Sequence, residues 1–293
     1  MQFANVGGRA HLLGGERGID IASASGGRFG PDPMALFDRW DELVDWASTA
    51  DPYNGDVIDT VRCGAPVPRP RQVFAVASNY SGRQTVVESS PELPAIFTKF
   101  PSSIVGPYGG LPLPTDTVDW EVELVVVLGQ LTRAVSPARA WEMVAGVTVG
   151  QDFSERTLQL GGPAKQFSLG KSYPGFGPTG PVLVTPEELP DRDDLRLQCM
   201  VNGEIVQDDR TASMIFSVPE LIARLSQVCE LFPGDLIFTG TPGGMGMTRT
   251  PPRFLSVGDE VRSRIEGIGE ICSICTVGAE FRSSTVSTPA ALA

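Results

Sequence analysis

Histidine is nearly absent from this chain: its 293 residues include one, His11. Serine or cysteine triads and histidine-rich metal sites all need imidazole, so none can be built in the body of the chain. Positive charge is scarce as well, with 23 Lys and Arg against 35 Asp and Glu and a net charge of −12. No basic cluster stands out. That excludes the electrostatic footprint of a nucleic acid or an anionic membrane surface and leaves a small molecule as the expected partner. No apolar run approaches the roughly 18 residues a membrane helix needs. The opening Met-Gln-Phe-Ala-Asn-Val-Gly-Gly lacks the basic start and apolar centre of a signal peptide. Cysteine is sparse and odd in number (Cys63, Cys199, Cys229, Cys272, Cys275), which points to a reducing cytoplasm. Cys272 and Cys275 form a C-x-x-C without a second pair, and on an alternating strand their thiols face opposite ways, which argues against zinc or redox chemistry.

What the chain has in quantity is turn-formers, 33 Gly and 25 Pro. They favour short strands over long helices, so the expected class is α+β and strand-rich. Residues 1–70 read as a small N-terminal α/β domain. It has Gly-punctuated strands and then a helix with Leu36, Trp40, Leu43 and Val44 on one stripe. Pro66, Pro68 and Pro70 make an extended connector to a catalytic domain over 71–280, and the Ser/Thr/Ala-rich stretch 281–293 reads as a disordered tail.

The main domain is organised around V-D-W-E-V-E-L-V-V-V-L-G, residues 118–129. Alternate residues share a strand face, so Asp119, Glu121 and Glu123 are expected to point one way ahead of an apolar run. Crowded carboxylates repel unless a proton or cation lies between them, and hard divalent ions take oxygen ligands; the competing reading is an exposed acidic strand start. The next strand, Val147 to Gly150, delivers Asp152. If D-F-S-E-R-T-L-Q forms a helical turn, Asp152, Arg156 and Gln159 share a face. Ser136-Pro137 signals a helix start, and Asn202-Gly203 a hairpin turn. A helix from Ser217 is expected to bury Leu221, Ile222, Leu225, Val228 and Cys229. Gly170-Lys171-Ser172 only imitates a phosphate loop, because Lys165 stands where its first glycine belongs. Ser78 to Arg83 follows an apolar strand and has the polarity of a pocket lining. In Thr239-Gly240-Thr241-Pro242-Gly243-Gly244, glycine lets backbone N–H groups approach a carboxylate.

Several of these segments together resemble the fumarylacetoacetate hydrolase family along most of residues 73–278. They are D-W-E-V-E-L-V-V-V-L-G (119–129), D-F-S-E-R-T-L-Q (152–159), G-K-S-Y-P-G-F-G-P-T-G-P (170–181), V-N-G-E-I-V-Q-D (201–208), Ser213 to Phe216, and P-G-D-L-I-F-T-G-T-P-G-G-M-G (233–246). The resemblance implies a mixed, rolled β-sheet fold with flanking helices, a small N-terminal domain, assembly as a homodimer and one divalent cation per subunit, Mg²⁺ first, with Mn²⁺ or Ca²⁺ as alternatives. It implies Glu121, Glu123 and Asp152 as metal ligands, leaving Asp119 outside the ligand set or at the surface. Lys171 matches the active-site lysine, and Asn79, Tyr80, Arg156, Gln159, Gly240 and Thr241 match substrate-binding positions. One departure stands out. Where the family commonly reads N-Y-x-D-H-A-x-E, this chain has Arg83 in place of the histidine and Val86 in place of the glutamate, so a water-activating pair is missing, to be replaced by Glu88 or by a metal-bound water acting unaided.

The leading expectation is a metal-dependent hydrolase that cleaves a carbon–carbon bond in a 1,3-diketone or acylpyruvate-type 2-oxo acid through an enolate. A decarboxylase or keto–enol isomerase is the alternative, since neither needs an activated water. A non-catalytic binding homologue is a third reading.

Overall fold

The computed structural model describes residues 1–81 and 93–278. Arg83, Val86, Glu88 and the expected tail at 281–293 therefore lie outside the described residues. The fold is α+β and rich in strands. One large mixed sheet runs from Arg17–Asp20 and Arg9–Gly14 through Gln2–Val6, Gly177–Val184, Val144–Gln151, Val122–Leu128 and Leu236–Phe238 to Val73–Ala77 and Ala95–Thr98. A second sheet holds Glu204–Arg210, Arg196–Val201, Glu260–Ile265, Gly269–Val277 and Tyr108–Leu113. The N-terminal strands continue the large sheet, since Gln2 and Phe3 pair antiparallel with Val184 and Leu183.

Side-chain alternation along Val122–Leu128 divides the core in two. Val122, Leu124, Val126 and Leu128 pack toward Leu197, Cys199, Val201 and Val261 of the second sheet. Val125 and Val127 pack on the opposite side with Phe37, Trp40 and Leu43. Each buried Val or Leu contributes roughly 1.5–3 kcal/mol, so this strand supplies on the order of 10 kcal/mol of gross burial. That is enough to carry adjacent carboxylates inside if they find partners, since an unpaired buried ion costs several kcal/mol.

Local details differ from expectation in four places. The strand read as continuous over 118–129 is broken: Val118–Asp119 pairs with Ser154–Glu155 in a separate ribbon, and the large sheet begins at Val122. The stripe of Leu36, Trp40, Leu43 and Val44 spans two helices, Pro33–Phe37 and Trp40–Ala47, and Val44 is exposed. The helix Val218–Val228 has the Ser217/Glu220 capping box and buries Leu221, Ile222 and Leu225, but Val228 is 87% exposed and Cys229, its C-cap, only partly buried. Its final turn simply runs past the edge of the core. Ser136-Pro137 starts a 3₁₀ segment, Pro137–Met143, instead of an α-helix.

Other readings hold. Asn202 and Gly203 both have positive φ (53° and 80°) in the hairpin. Cys275 is buried while Cys272 on the same strand is only partly so, and all five cysteines are free. Among the described residues no helix is long and apolar enough to cross a membrane.

Candidate metal centre

The break in the acidic strand is what makes the site. At Trp120 the chain leaves one ribbon for another, and two side-chain amides complete the interrupted ladder. Gln151 Oε1 accepts from the Glu121 N–H (2.8 Å) and Gln207 Oε1 from the Val122 N–H (3.0 Å), so no buried donor at the break is orphaned. Glu123 then lies opposite Gly150, where a side chain would meet Val125 Cγ2 at 2.4 Å. Two residues beyond Gly150, the Asp152 N–H donates to the Glu121 carbonyl (2.9 Å), which sets Asp152 beside the glutamates. Glu121, Glu123 and Asp152 are all buried, and one carboxylate oxygen from each lies within 4.8 Å of the others.

The acids are held by a ring of cations. Lys171 Nζ donates to Glu121 Oε2 (2.8 Å) and Asp152 Oδ2 (2.5 Å). Arg156 Nη2 donates to Glu121 Oε1 (2.8 Å) and Asp119 Oδ2 (2.7 Å), and its Nη1 to Gln159 Oε1 (2.8 Å). Glu123 Oε2 instead accepts from the Gly240 N–H (2.7 Å), in a turn where Gly240 has φ +96°. Thr241 Oγ1 donates to the Val122 carbonyl (2.8 Å) and accepts from Gln207 Nε2 (2.9 Å), tying that turn to the acidic strand. Asn79 Nδ2 donates to the carbonyls of Thr239 (2.7 Å) and Phe216 (3.0 Å), joining the start of the polar segment to the same turn. Tyr80 is buried beside it, its hydroxyl without a hydrogen-bond partner among the described residues.

Burial, then the neighbouring Asp152 and Glu121, push the Glu123 carboxyl well above its ordinary range. Burial works against the charge on Lys171, but Asp152 and Glu121 outweigh it and hold its pKa above the usual lysine value. In the same way Asp119 and Glu121 overcome burial and raise Arg156.

Asp119, expected outside the ligand set or at the surface, is fully buried. It accepts from Arg156, from the Trp120 N–H (2.8 Å) and from the N–H groups of Gly246 (2.7 Å) and Met247 (3.1 Å). Asp152 precedes the short helix Arg156–Leu160 and does not lie on it, so Asp152 and Arg156 meet at Glu121 and not through helical spacing.

Lys99 was not anticipated. It is completely buried, and its Nζ donates to Asp152 Oδ1 (2.7 Å), to the Phe176 carbonyl (3.2 Å) and to the Lys171 carbonyl. Burial lowers its pKa, opposed by Asp152. Nothing local in the sequence signalled it; two residues earlier the Phe97 ring lies 5.2 Å from Lys171 Nζ. His11, by contrast, is on a strand separated from the acidic strand by three others, roughly 19 Å across the sheet.

A model of the fumarylacetoacetate hydrolase C-terminal domain matches residues 72–276. The chain belongs to the fumarylacetoacetate hydrolase family. Within this family it is 46% identical over 211 residues to a mitochondrial oxaloacetate tautomerase of Bos taurus, covering 71% of this chain and 67% of that protein. A Dictyostelium discoideum fumarylacetoacetate hydrolase domain-containing homologue is 35% identical over 289 residues, covering 91% and 93%. Among solved structures, a proposed HpcE protein from Mycobacterium smegmatis superposes with a TM-score of 0.88 at 54% identity, covering 94% of this chain and all of that one. The maleylpyruvate hydrolase of a Sphingobium species, solved with manganese(II) and pyruvate, gives 0.79 at 27% identity, covering 95% and 100%. The family relatives are thus enzymes that include tautomerases, isomerases and hydrolases.

The residues here fit a divalent cation. Their donors are hard oxygens alone, set together where burial and then mutual repulsion push the Glu123 carboxyl above its ordinary range, and a cation relieves that repulsion.

Proposed function

We propose that the protein is a divalent-metal-dependent keto–enol tautomerase of a small 2-oxo acid of the oxaloacetate class. The observation that carries this reading is the buried Glu121, Glu123 and Asp152 cluster with Lys171 bridging two of its members, in a chain whose one histidine is distant. Tautomerisation moves a proton between carbon and oxygen and passes through an enolate. It requires stabilised negative charge and does not require an attacking water, so the absence of a histidine base does not disable it. The 46% identity to oxaloacetate tautomerases points the same way.

Glu121, Glu123 and Asp152 would hold the ion, Mg²⁺ in the first instance and Mn²⁺ as a working substitute. When bound, such an ion supplies Lewis-acid stabilisation of an enolate oxygen. Lys171 Nζ adds fixed positive charge beside the same centre. Arg156 and Gln159 orient the substrate from one side, and Asn79, Tyr80, Gly240 and Thr241 from the other. Arg83 and Glu88 enter as sequence candidates for catalytic residues, Glu88 as the substitute base. Assembly as a homodimer and residence in a reducing compartment complete the proposal.

Carbon–carbon hydrolysis of an acylpyruvate is the second reading, favoured by the manganese- and pyruvate-bound hydrolase that shares the fold. The two readings separate when metal-loaded protein is incubated with oxaloacetate and a panel of acylpyruvates, with products identified by mass. Tautomer exchange without a change in mass supports the first reading. Cleavage with uptake of water would replace it with the second.

A further inference from the structure

Direct ion pairs join Asp119, Arg156, Glu121, Lys171, Asp152 and Lys99 into one buried network, to which Glu123 adds the third carboxylate of the cluster. Among the described residues four carboxylates thus face three cations, one formal negative charge in excess. A divalent ion converts that excess into one positive charge, which suits an anionic substrate. Without Lys99 the loaded centre would instead be neutral.

The Lys99 ammonium is fully hydrogen-bonded. Its three N–H donors have three acceptors, Asp152 Oδ1 and the carbonyls of Lys171 and Phe176. Its contact with Asp152 is on Oδ1, whereas Lys171 takes Oδ2, so the two lysines hold the two oxygens of one carboxylate. No other charged group stands between Lys99 and the carboxylate.

We propose that Lys99 is a positioning and charge-setting residue: it holds Asp152 and keeps the metal-loaded centre positive, weakening cation binding in order to favour an anionic substrate. This rests on the metal site in the preceding reading but not on the identity of the reaction. Two opposite effects follow. Loss of the Lys99 charge should tighten the divalent ion and weaken the anion, each by about tenfold or more, the scale on which one neighbouring charge moves a buried equilibrium. A residue that merely supported the fold would weaken both on removal.

The test uses Lys99→Met in the full chain, with Mn²⁺ titrated by the electron paramagnetic resonance signal of the free ion. Oxalate, a dianion like an enolised 2-oxo acid, is then titrated into the Mn²⁺-loaded protein. The expected result is a lower dissociation constant for Mn²⁺ and a higher one for oxalate, both restored toward wild type in Lys99→Arg. Should Lys99→Met fail to fold, Lys99→Gln, which keeps a donor, is scored in the same way. Parallel weakening of both ligands, or no change in either, overturns the proposal. Wild-type protein that binds Mn²⁺ and oxalate but does not tautomerise oxaloacetate would refute the proposed reaction and leave the role of Lys99 standing or falling on these titrations. Wild-type protein that binds no Mn²⁺ would overturn both.

Discussion

Glu123 carries the sharpest residue-level expectation. Of the three clustered carboxylates it is the one that, among the described residues, has no cationic side chain directly on it, its Oε2 accepting from the Gly240 N–H. Its negative charge is therefore the least compensated and the most available to a metal. Glu123→Ala should lower Mn²⁺ affinity by ~100-fold or more and reduce turnover at least as much, read by calorimetric titration and initial rates. Cys199 gives a second expectation, at a thiol that accepts from Gln151 Nε2 (3.3 Å) and so borders the site. Its thiol is buried among the core residues between the sheets, and burial pushes its pKa from 9.0 to about 12. A group whose folded pKa is raised contributes stability that is complete below its unfolded value and lost as pH rises through the folded one. Denaturant unfolding should therefore show stability falling between about pH 9 and about 12, and Cys199→Ala should flatten that decline. At residue scale most of the candidate site was legible. Glu121, Glu123, Asp152 and Lys171 lie in segments whose residue types and order signal their chemistry, and the structure brings them together. Lys99, Gln151 and Gln207 were not legible, because each is an ordinary polar residue in its local segment and acquires its place from distant contacts, 53 positions away for Lys99 with Asp152, 30 for Gln151 with Glu121 and 85 for Gln207 with Val122.

The elements that matter are the broken acidic strand and the 239–247 turn that closes on it. Both were visible as motifs, but the break at Trp120 was not, since an alternating acidic run reads the same whether or not its hydrogen bonds change partner. Asp119 shows the consequence: strand parity alone aligns it with the glutamates, whereas the break carries it to Arg156 and the Gly246 and Met247 N–H groups. The turn is fixed by backbone conformation. Gly240 has φ +96°, and a Cβ there would lie 2.8 Å from Asn79 Cβ and 3.0 Å from the Val76 carbonyl. Gly240→Ala should thus cost about 2 kcal/mol or more in urea unfolding and also weaken metal binding, because it displaces the N–H that holds Glu123. Stability unchanged in that variant would mean that the turn tolerates another conformation. Val228 marks the reverse limit of pattern reading. Its helical spacing matches the buried stripe, yet the core ends one turn earlier and leaves it exposed.

Across the whole molecule, two sheets and two cores bury a charged centre that would be unstable alone. The apolar strand between the cores fixes its geometry, and the ion pairs of Lys99, Arg156 and Lys171 compensate its charge. The strand-rich α+β class followed from turn-former content and strand patterns, but the pairing of Gln2–Val6 with Gly177–Val184 did not, because nothing local specifies a partner so distant in sequence. If the chain assembles as proposed, light scattering should return twice its 31.2 kDa mass; a single-chain mass would remove the dimer from the account. The central claim, metal-dependent enolate chemistry at the carboxylate cluster, is tested most directly by one rate. That rate is the approach of freshly dissolved enol oxaloacetate to its keto–enol equilibrium, followed by the enol's ultraviolet absorbance with Mg²⁺-loaded protein. The account expects equilibration well above the rate with Mg²⁺ alone, abolished by chelator and by Glu123→Ala. Equal acceleration by wild type and Glu123→Ala, or by chelated and loaded protein, would contradict it.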